Sequence, residues 1–523
     1  MTRNSIIVLL MLGIFLIPQL GIAQDSLKLL ATIVGERECA SAGDLNGDGF
    51  KDIITGYPGS GGHIKIFLGS ADFDTIPDIH IIGEGGSFGS GVGCAGDLNK
   101  DGYDDFIVGA PGWCNAYIYF GGSPVDSVVD LVLQEWGWDY DFGASVTSAG
   151  DVNNDGYDDV MVAAPDDWGA VGRVFIYFGG ENMDSIYDVR IEGHPDSVEE
   201  LGRSVAAMGD INGDEYDDIL IGSPYIGNPF DPGKAAIYLG GNPMDTIPDI
   251  AFHGDSIEFR SFGRVVASAG DVNGDGIEDI LVGGKAGYPK CARLFTTRTD
   301  NGNVVFDTLI LSVGDIMPST FGYTLSSAGD INGDGFDDFM VGDYQGDVEL
   351  KGKVYFFYGG EDVDSLWDIT LVGPNSNERS FGVKLAKAGD INGDGYDEIM
   401  ISSYFDGDNR EVFIFTSNPT SVEEPVKETQ VNNFHLNQNY PNPFNPETVI
   451  EYVLRENSQV NLSIYNILGQ HIRTLVNEYQ ASGLKRVKWN GEDGDGKKAS
   501  SGIYFYEIEA GDFSQTKKML LLK

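Results

Sequence analysis

Residues 42–52 read AGDLNGDGFKD, and close copies of this stretch return six more times along the chain. The copies begin at Ala95, Ala149, Met208, Ala269, Ala328 and Ala388. Their first aspartates lie 53, 54, 59, 61, 59 and 60 residues apart in turn. Recurrence at a nearly constant period of this length indicates one structural unit used seven times rather than one large core.

Each copy is followed by the same pattern of short strands. In the second unit an apolar run at Phe106–Val108 ends in a turn at Gly109–Pro111. An alternating aromatic strand, Ala116–Phe120, ends at Gly121–Gly122, and a further strand near Asp130–Gln134 completes the unit. Four short strands per unit without helical periodicity predict an all-β, seven-bladed β-propeller. Since one such unit cannot bury both faces of its sheet, the blades must pack on one another.

The closure of the ring can also be predicted. Leu27–Val34 precedes the first acidic loop and resembles the fourth strand of a unit, whereas the last unit lacks a clear fourth strand. We expect this N-terminal strand to complete the last blade, which joins the chain ends and removes an exposed sheet edge.

The acidic loops have the composition of cation sites. In the first loop, side-chain oxygens fall at positions 1, 3, 5 and 9 (Asp44, Asn46, Asp48 and Asp52), and Phe50 at position 7 offers its carbonyl. Calcium takes six to eight oxygen ligands, and glycine at position 6 allows the sharp turn of an EF-hand loop. Position 12 carries no glutamate, so the carboxylate at position 9 is expected to close the site.

All seven loops repeat this donor set at positions 1, 3, 5, 7 and 9. The predicted ligands are Asp44, Asn46, Asp48, Phe50, Asp52; Asp97, Asn99, Asp101, Tyr103, Asp105; Asp151, Asn153, Asp155, Tyr157, Asp159; Asp210, Asn212, Asp214, Tyr216, Asp218; Asp271, Asn273, Asp275, Ile277, Asp279; Asp330, Asn332, Asp334, Phe336, Asp338; and Asp390, Asn392, Asp394, Tyr396, Glu398. One such loop could be a solvated turn, but turn chemistry does not require an acid at position 9 seven times. We predict up to seven structural Ca²⁺ ions. The fourth loop departs most, since Glu215 replaces the glycine at position 6.

A second motif accompanies the loops. Phe-Gly pairs stand at Phe88-Gly89, Phe142-Gly143, Phe262-Gly263, Phe321-Gly322 and Phe381-Gly382, with Leu201-Gly202 as a variant and Gly109-Ala110-Pro111 downstream in the second unit. The first unit lacks this pair. With these residues the chain resembles the FG-GAP repeats of the integrin α-subunit head over roughly residues 24–418. The resemblance implies a seven-bladed ring with its cation loops on one face, and says little about the ligand.

The termini are expected to serve export. Residues 1–23 combine Arg3, an apolar run and the small residues before Gln24, which is typical of a cleaved signal peptide, with an uncleaved anchor as the alternative. Residues 419–435 have the composition of a linker. Residues 436–523 predict a small β-sandwich with strands at Thr448–Leu454, Val460–Ile464 and Gly502–Ile508.

The tail has a distinctive opening, NYPNPFNP, at residues 439–446. With it the tail resembles the C-terminal sorting domain of type IX secretion cargo, an immunoglobulin-like module. The resemblance implies passage to the exterior of a Gram-negative-type outer membrane through secretion machinery, with a secreted or cell-surface product. An ordinary accessory β-sandwich is the alternative.

Charge and cysteine content narrow the functions. The net charge of −48 falls entirely on the first 426 residues, which hold 70 acidic and 22 basic residues. Such a body repels nucleic acid and anionic membranes and attracts divalent cations. Cys39, Cys94, Cys114 and Cys291 allow three full pairings, and the sequence does not choose among them.

These features favour a non-catalytic binding or adhesion module with an extracellular protein or glycan partner. A candidate surface is formed by an aromatic residue after the second strand of each unit: Tyr57, Trp113, Trp168, Tyr225, Tyr288, Tyr344 and Tyr404. Such residues could instead wedge between blades. The alternative function is an extracellular polysaccharide lyase or glycosidase, although no common catalytic motif occurs and the six histidines are scattered without partners.

Overall fold

The computed structural model describes two compact units, Met1–Thr420 and Ser421–Lys523. The described residues are 27–522 without 60, 136–140, 166–170, 195–198, 225–232, 255–260, 285–290, 301–302, 313–319, 346–350, 362, 374–379, 405–409, 418–434, 437–438, 440–443, 445–447, 455–457, 468, 481–482, 495–496 and 512. The predicted signal peptide and nearly all of the predicted linker lie outside the described residues.

The first unit contains seven four-stranded antiparallel sheets, six of which follow the chain order. An initial strand, β1 (Lys28–Val34), precedes the blades. Blades 1 to 3 contain β2 (Glu38–Gly43), β3 (Asp52–Tyr57), β4 (His63–Phe67), β5 (Ile79–Ile82); β6 (Gly91–Gly96), β7 (Asp105–Ala110), β8 (Asn115–Tyr119), β9 (Leu131–Gln134); and β10 (Ser145–Gly150), β11 (Asp159–Ala164), β12 (Arg173–Tyr177), β13 (Val189–Glu192). A 3₁₀ turn, Pro111–Trp113, lies within blade 2.

The remaining blades continue the pattern. They contain β14 (Ser204–Ala207), β15 (Ile219–Ser223), β16 (Lys234–Tyr238), β17 (Ile250–His253); β18 (Val265–Gly270), β19 (Asp279–Gly283), β20 (Cys291–Asp300), β21 (Asn303–Ser312); β22 (Thr324–Gly329), β23 (Asp338–Asp343), β24 (Lys353–Phe357), β25 (Ile369–Val372); and β26 (Lys384–Gly389), β27 (Glu398–Tyr404), β28 (Arg410–Thr416). The predicted seven-bladed β-propeller is therefore confirmed.

The N-terminal strand closes the ring as predicted. β1 pairs antiparallel with β28, with Ile33 opposite Val412, and the seventh sheet runs in the order β1-β28-β27-β26. The first strands of neighbouring blades contact one another all the way round, including β26 against β2. Because the last blade takes its outer strand from the start of the chain, the two ends of the propeller hold each other.

Hydrophobic cores lie between the blades. The phenylalanine of each Phe-Gly pair enters one of these cores, as Phe142 does, where its ring meets Phe175 edge-on with centroids 5.3 Å apart. In a four-stranded meander the first and third connections share one edge and the second and fourth share the other. The acidic loops and the turns after the third strands therefore lie on one face of the ring, called the loop face here. The other connections form the opposite face.

Three cysteine side chains are described, and Cys39, Cys94 and Cys114 are all free thiols. The side chain of Cys291 lies outside the described part of the structure. Burial raises the pKa of Cys39 and of Cys94 to about 12, so neither is a reactive thiolate. The propeller therefore holds together through packing rather than through a bridge among these three residues.

The second unit is a two-layer sandwich. One sheet has the order β29 (His435–Leu436), β30 (Thr448–Leu454), β33 (Gly483–Trp489), and the other the order β32 (His471–Gln480), β31 (Ser458–Asn466), β34 (Gly502–Ala510), β35 (Phe513–Leu521). Trp489, Tyr506 and Ile450 are buried between them. The three predicted strands are present, whereas β29, β32, β33 and β35 were not predicted. β32 buries only Val476, so it lacks the apolar alternation of a half-buried strand.

Candidate metal centre

Each acidic loop is organised by its own side chains. The two oxygens of Asp44 accept hydrogen bonds from the main-chain N–H groups of Asp48 and Gly49, at 3.1 and 2.9 Å. Asn46 Oδ1 accepts from Asp48 N–H at 2.9 Å, and Asp48 Oδ1 accepts from Phe50 N–H at 3.0 Å. Positions 1, 3 and 5 therefore turn their oxygens toward the inside of the loop, as a cation site requires.

The other six loops share this frame. The aspartate at position 1 accepts hydrogen bonds from the N–H groups of positions 5 and 6 in every loop, at 2.7–3.1 Å. Glu215 joins the frame with a φ of +74°, a conformation that costs a non-glycine residue energy. The fourth loop thus keeps its shape at the expense of local strain.

The acid at position 9 acts as the internal anchor of its loop. Asp52 is completely buried, and its Oδ2 accepts from Leu45 N–H at 2.8 Å while its Oδ1 accepts from Gly69 N–H at 2.7 Å. Gly69 follows the third strand of the same blade. The corresponding pairs of bonds recur in five further loops, on Asp105, Asp159, Asp218, Asp279 and Asp338.

Burial opposes ionisation of these position-9 carboxyl groups when no cation is bound. It raises the pKa of Asp52 to about 7, and the nearby Asp44 and Asp48 raise it further against the two hydrogen bonds. The pKa reaches about 7 for Asp105, Asp218, Asp279 and Glu398 and about 8 for Asp159 and Asp338. A buried carboxylate beside two others is an environment that a divalent cation would relieve.

One buried side chain supports the fit of these loops to a cation. Asn153, at position 3 of the third loop, is only 4% exposed, and its Oδ1 has no hydrogen-bond donor among the described residues. A buried acceptor without a donor is rare and calls for an ion or a water. Within the described residues no three Asp, Glu, His or Cys side chains converge closely enough to form a metal site. The loop carboxylates accept main-chain N–H groups instead, and calcium ligation, including that by position 9, stays a prediction.

A polar cluster in blade 1 was missed by the sequence analysis. Glu36 is completely buried; its Oε1 accepts from Lys65 Nζ at 2.6 Å and lies 3.1 Å from His63 Nε2. The imidazole of His80 meets that of His63 with ring centroids 5.1 Å apart. Burial, together with His63 and Lys65, lowers the pKa of His80. The expectation that the histidines have no partners is thus wrong for His63 and His80.

This cluster stands where blade 1 lacks its Phe-Gly pair. In blades 2, 3 and 6 the phenylalanine packs on an aromatic third residue of the third strand, as Phe142 does on Phe175. In blade 1 that strand position is Lys65, and Glu36 is the residue against it. An ion pair therefore replaces an aromatic pair. The missing Phe-Gly at residues 35–37 was the available signal.

The aromatic residues after the second strands do not form one uniform surface. Trp113 and Tyr404 are each 44% exposed. Tyr57 packs against His63 and beneath the Arg410 guanidinium, and Tyr344 packs edge-on against Tyr323. The other three predicted residues, Trp168, Tyr225 and Tyr288, lie outside the described residues. Two of the four described aromatic residues are thus available to a partner.

The loop face carries a second repeated feature that the sequence analysis missed. Five turns after the third strands each present an aliphatic side chain that is 65–73% exposed: Ile76, Val128, Ile186, Ile247 and Leu366. The N–H of each donates to the aspartate two residues before it, at 2.7–2.8 Å. We call these five residues the aliphatic tips. The recurring Asp-Ser/Thr-aliphatic triplet was the signal in the sequence.

Comparison with known proteins agrees with this architecture. The FG-GAP-like repeat family model matches residues 44–108, and the FG-GAP repeat model matches 142–177, 262–306 and 321–357. The FlgD Ig-like domain model matches residues 446–513. The seven-bladed propeller thus contains stretches similar to FG-GAP repeats, and an immunoglobulin-like domain follows it in the sequence. Within the described parts of the chain, no helix has the length and apolar character needed to cross a membrane.

Integrin α subunits are among the similar proteins. Integrin alpha pat-2 of Caenorhabditis elegans is 27% identical over 53% of this chain and 20% of its own length. Integrin alpha-5 of Xenopus laevis is 32% identical over 38% and 20%, and integrin alpha-7 of Mus musculus is 35% identical over 30% and 13%. The chain thus spans a fifth or less of these relatives.

One solved structure is described as PorZ, an essential bacterial surface component of the type-IX secretion system of Porphyromonas gingivalis. It covers 90% of this chain and 58% of its own, at 15% identity and a TM-score of 0.37. Similarity at this level carries no inference about the present chain.

Proposed function

We propose that this protein is a secreted or cell-surface calcium-binding β-propeller that acts as a non-catalytic binding or adhesion module. The observation that carries the proposal is the seven-fold recurrence of one loop frame, with acidic residues at positions 1, 5 and 9, on a body of net charge −48. Metal bound to these loops would neutralise clusters of like charge and stabilise the folded ring by mass action. The similarity to integrin α subunits supports a role in binding extracellular partners.

A calcium titration tests the metal part of the proposal. The full chain, stripped of metal on a chelating resin, is titrated with CaCl₂ by calorimetry and melted in calcium and in chelator. We expect several sites and a melting temperature that is clearly higher in calcium. Magnesium at the same concentration is the control, because it prefers a smaller octahedral shell and should stabilise less. No heat of binding and superimposed melting curves would contradict calcium binding.

The partner is expected to be an extracellular protein or glycan. Trp113 and Tyr404 on the opposite face offer large, half-exposed aromatic surfaces of the kind that anchor such partners. Export rests on the signal-peptide pattern at residues 1–23 and on the resemblance of the tail to type IX sorting domains. Secretion of a reporter protein fused to residues 419–523 in a type IX-competent host, and its retention in a secretion-deficient strain, would support this route.

A second candidate function has one observation in its favour. Glu36, His63, Tyr57 and Arg410 form a partly buried cluster near the ring closure, in which the Arg410 guanidinium lies 4.8 Å from the Tyr57 ring centroid. A base beside a cationic group suits the elimination reaction of a polysaccharide lyase. Incubation with acidic polysaccharides, followed by ultraviolet absorbance, would reveal unsaturated products. Turnover that His63→Gln abolishes would favour the enzyme.

A further inference from the structure

The eighth residue of each acidic loop makes contacts beyond its own blade. The N–H of Asp104 donates to the carbonyl oxygen of Asp44, the first residue of the preceding loop, at 3.1 Å. The Asp104 carboxylate in turn accepts from Asp44 N–H at 2.6 Å. The two hydrogen bonds clamp the main chain of the first predicted calcium ligand. Residue 8 itself lies between two predicted ligand positions, 7 and 9.

This clamp recurs round much of the ring. Carboxylates at position 8 accept the N–H of the preceding position 1 at 2.7–2.9 Å in three further pairs: Asp97 with Asp158, Asp151 with Asp217, and Asp271 with Asp337. At the sixth loop, Asp397 occupies the same place, because a Cβ added to Gly329 would overlap its carboxylate. Five loops, those of Asp44, Asp97, Asp151, Asp271 and Asp330, therefore have an aspartate of the next blade beside them. In the first four, its carboxylate accepts the N–H of position 1.

Two loops differ. Position 8 of the first blade is Lys51, whose N–H reaches the Asp390 carbonyl at 3.0 Å but whose side chain has no oxygen to accept Asp390 N–H. The Lys51 ammonium instead pairs with Asp104 at 3.2 Å. Beside the fourth loop, the corresponding residue is Glu278, which hydrogen-bonds Ser268 of its own blade. Accordingly, no atom lies within 4 Å of a Cβ position at Gly209. At the corresponding glycine of five other loops, an aspartate carboxylate lies there.

We propose that the aspartates at position 8 are positioning residues that divide the seven loops into five strong and two weak calcium sites. The inference rests on the proposed calcium binding and deepens it. A clamped loop presents its first carboxylate in a fixed orientation, so less conformational freedom is lost when the ion binds. The clamping carboxylate also places a further negative charge beside the loop. The weak sites are those of Asp210 and Asp390.

The loss of one charge-assisted hydrogen bond changes affinity by about tenfold or more. Calorimetric titration of the metal-free full chain with CaCl₂ is therefore expected to resolve two classes of site, five strong and two weak. Lys51→Asp and Glu278→Asp should each move one site from the weak class to the strong class. Asp158→Ala should move the site of the Asp97 loop from the strong class to the weak class. Asp158→Asn, which keeps an acceptor oxygen, should restore part of that loss.

Lys384→Asp is the matched control for charge, since it makes the same change as Lys51→Asp but lies at the start of β26, away from the loop face. It should leave the division at five and two. Seven equivalent sites, or a division that none of the position-8 variants alters, would overturn the clamp while leaving calcium binding intact. The absence of any site in the wild-type chain would overturn both proposals.

Discussion

Gly43 of blade 1 leaves room for the carboxylate of Asp104, which belongs to blade 2. A Cβ added to Gly43 would overlap the Asp104 carboxylate, and Gly43 has a φ of +82°. The same relation holds for four other pairs: Gly96 with Asp158, Gly150 with Asp217, Gly270 with Asp337, and Gly329 with Asp397. The glycine of the AGD motif is thus required by the next blade as well as by its own backbone.

Gly43→Ala should therefore destabilise the protein through strain and steric overlap together. We expect a loss of about 3 kcal/mol in the free energy of unfolding, measured by denaturant titration in chelator. Gly49→Ala is the control, because Gly49 has a φ of +94° but open space at its Cβ position, and should cost about 1 kcal/mol. Equal losses in the two variants would show that Asp104 does not constrain Gly43.

Position 9 should be needed for folding and position 5 mainly for calcium. Asp105→Ala leaves the N–H groups of Leu98 and Gly121 without their acceptor in a buried site, at about 1–3 kcal/mol each. Asp101→Ala, at the exposed position 5 of the same loop, should cost less than about 1 kcal/mol in chelator. The two denaturation midpoints, measured in chelator and again in calcium, separate the roles. Similar midpoints in chelator would contradict the anchoring role.

The metal-free protein should lose stability as the pH rises. The pKa of Asp52, Asp105, Asp218, Asp279 and Glu398 is raised to about 7 in the folded state, above an ordinary value near 4. The folded state therefore binds more protons than the unfolded state between these values. This contribution is complete below about pH 4 and is lost as the pH rises through about 7.

Melting of resin-stripped protein between pH 5 and pH 8 checks this sign. We expect the melting temperature to fall with rising pH in the absence of metal. In saturating calcium the fall should disappear, because the ion favours the ionised carboxylates. If the melting temperature of the metal-free protein rose over this range, the position-9 carboxyl groups would not be buried and protonated as predicted.

The repeat made the fold predictable, because strand alternation, turn residues and loop composition are all local properties of the sequence. The role of residue 8 was not predictable, since its partner lies in another blade at a sequence separation of 60 or more. The pairing of Glu36 with Lys65 is closer in sequence, and the missing Phe-Gly pair of the first unit was the one signal for it. The aliphatic tips were visible as a recurring triplet, but no local rule says whether an aliphatic residue in a turn is buried or exposed.

The strand that closes the ring should contribute strongly to stability through one face. Ile33, in β1, is buried in the core between the first and last blades. Ile33→Ala should therefore lower the free energy of unfolding by about 2–4 kcal/mol. Leu29→Ala is the control in the same strand, because Leu29 is 47% exposed and should matter little. Equal, small effects would mean that β1 is not part of the cooperative ring.

The two faces of the propeller can be distinguished by paired substitutions. Trp113→Ala with Tyr404→Ala removes the described exposed aromatic surface of the opposite face, and should abolish binding to any glycan that the wild type retains on an array. Aromatic anchors of this kind commonly contribute 2 kcal/mol or more, roughly a thirtyfold loss of affinity. Val128→Ser with Leu366→Ser removes two aliphatic tips of the loop face and is the matched control. All four substituted side chains are exposed, so neither pair of substitutions should change the melting temperature. Loss of binding in the second pair alone would place the partner on the loop face, beside the acidic loops, and would overturn the aromatic surface as the site of recognition.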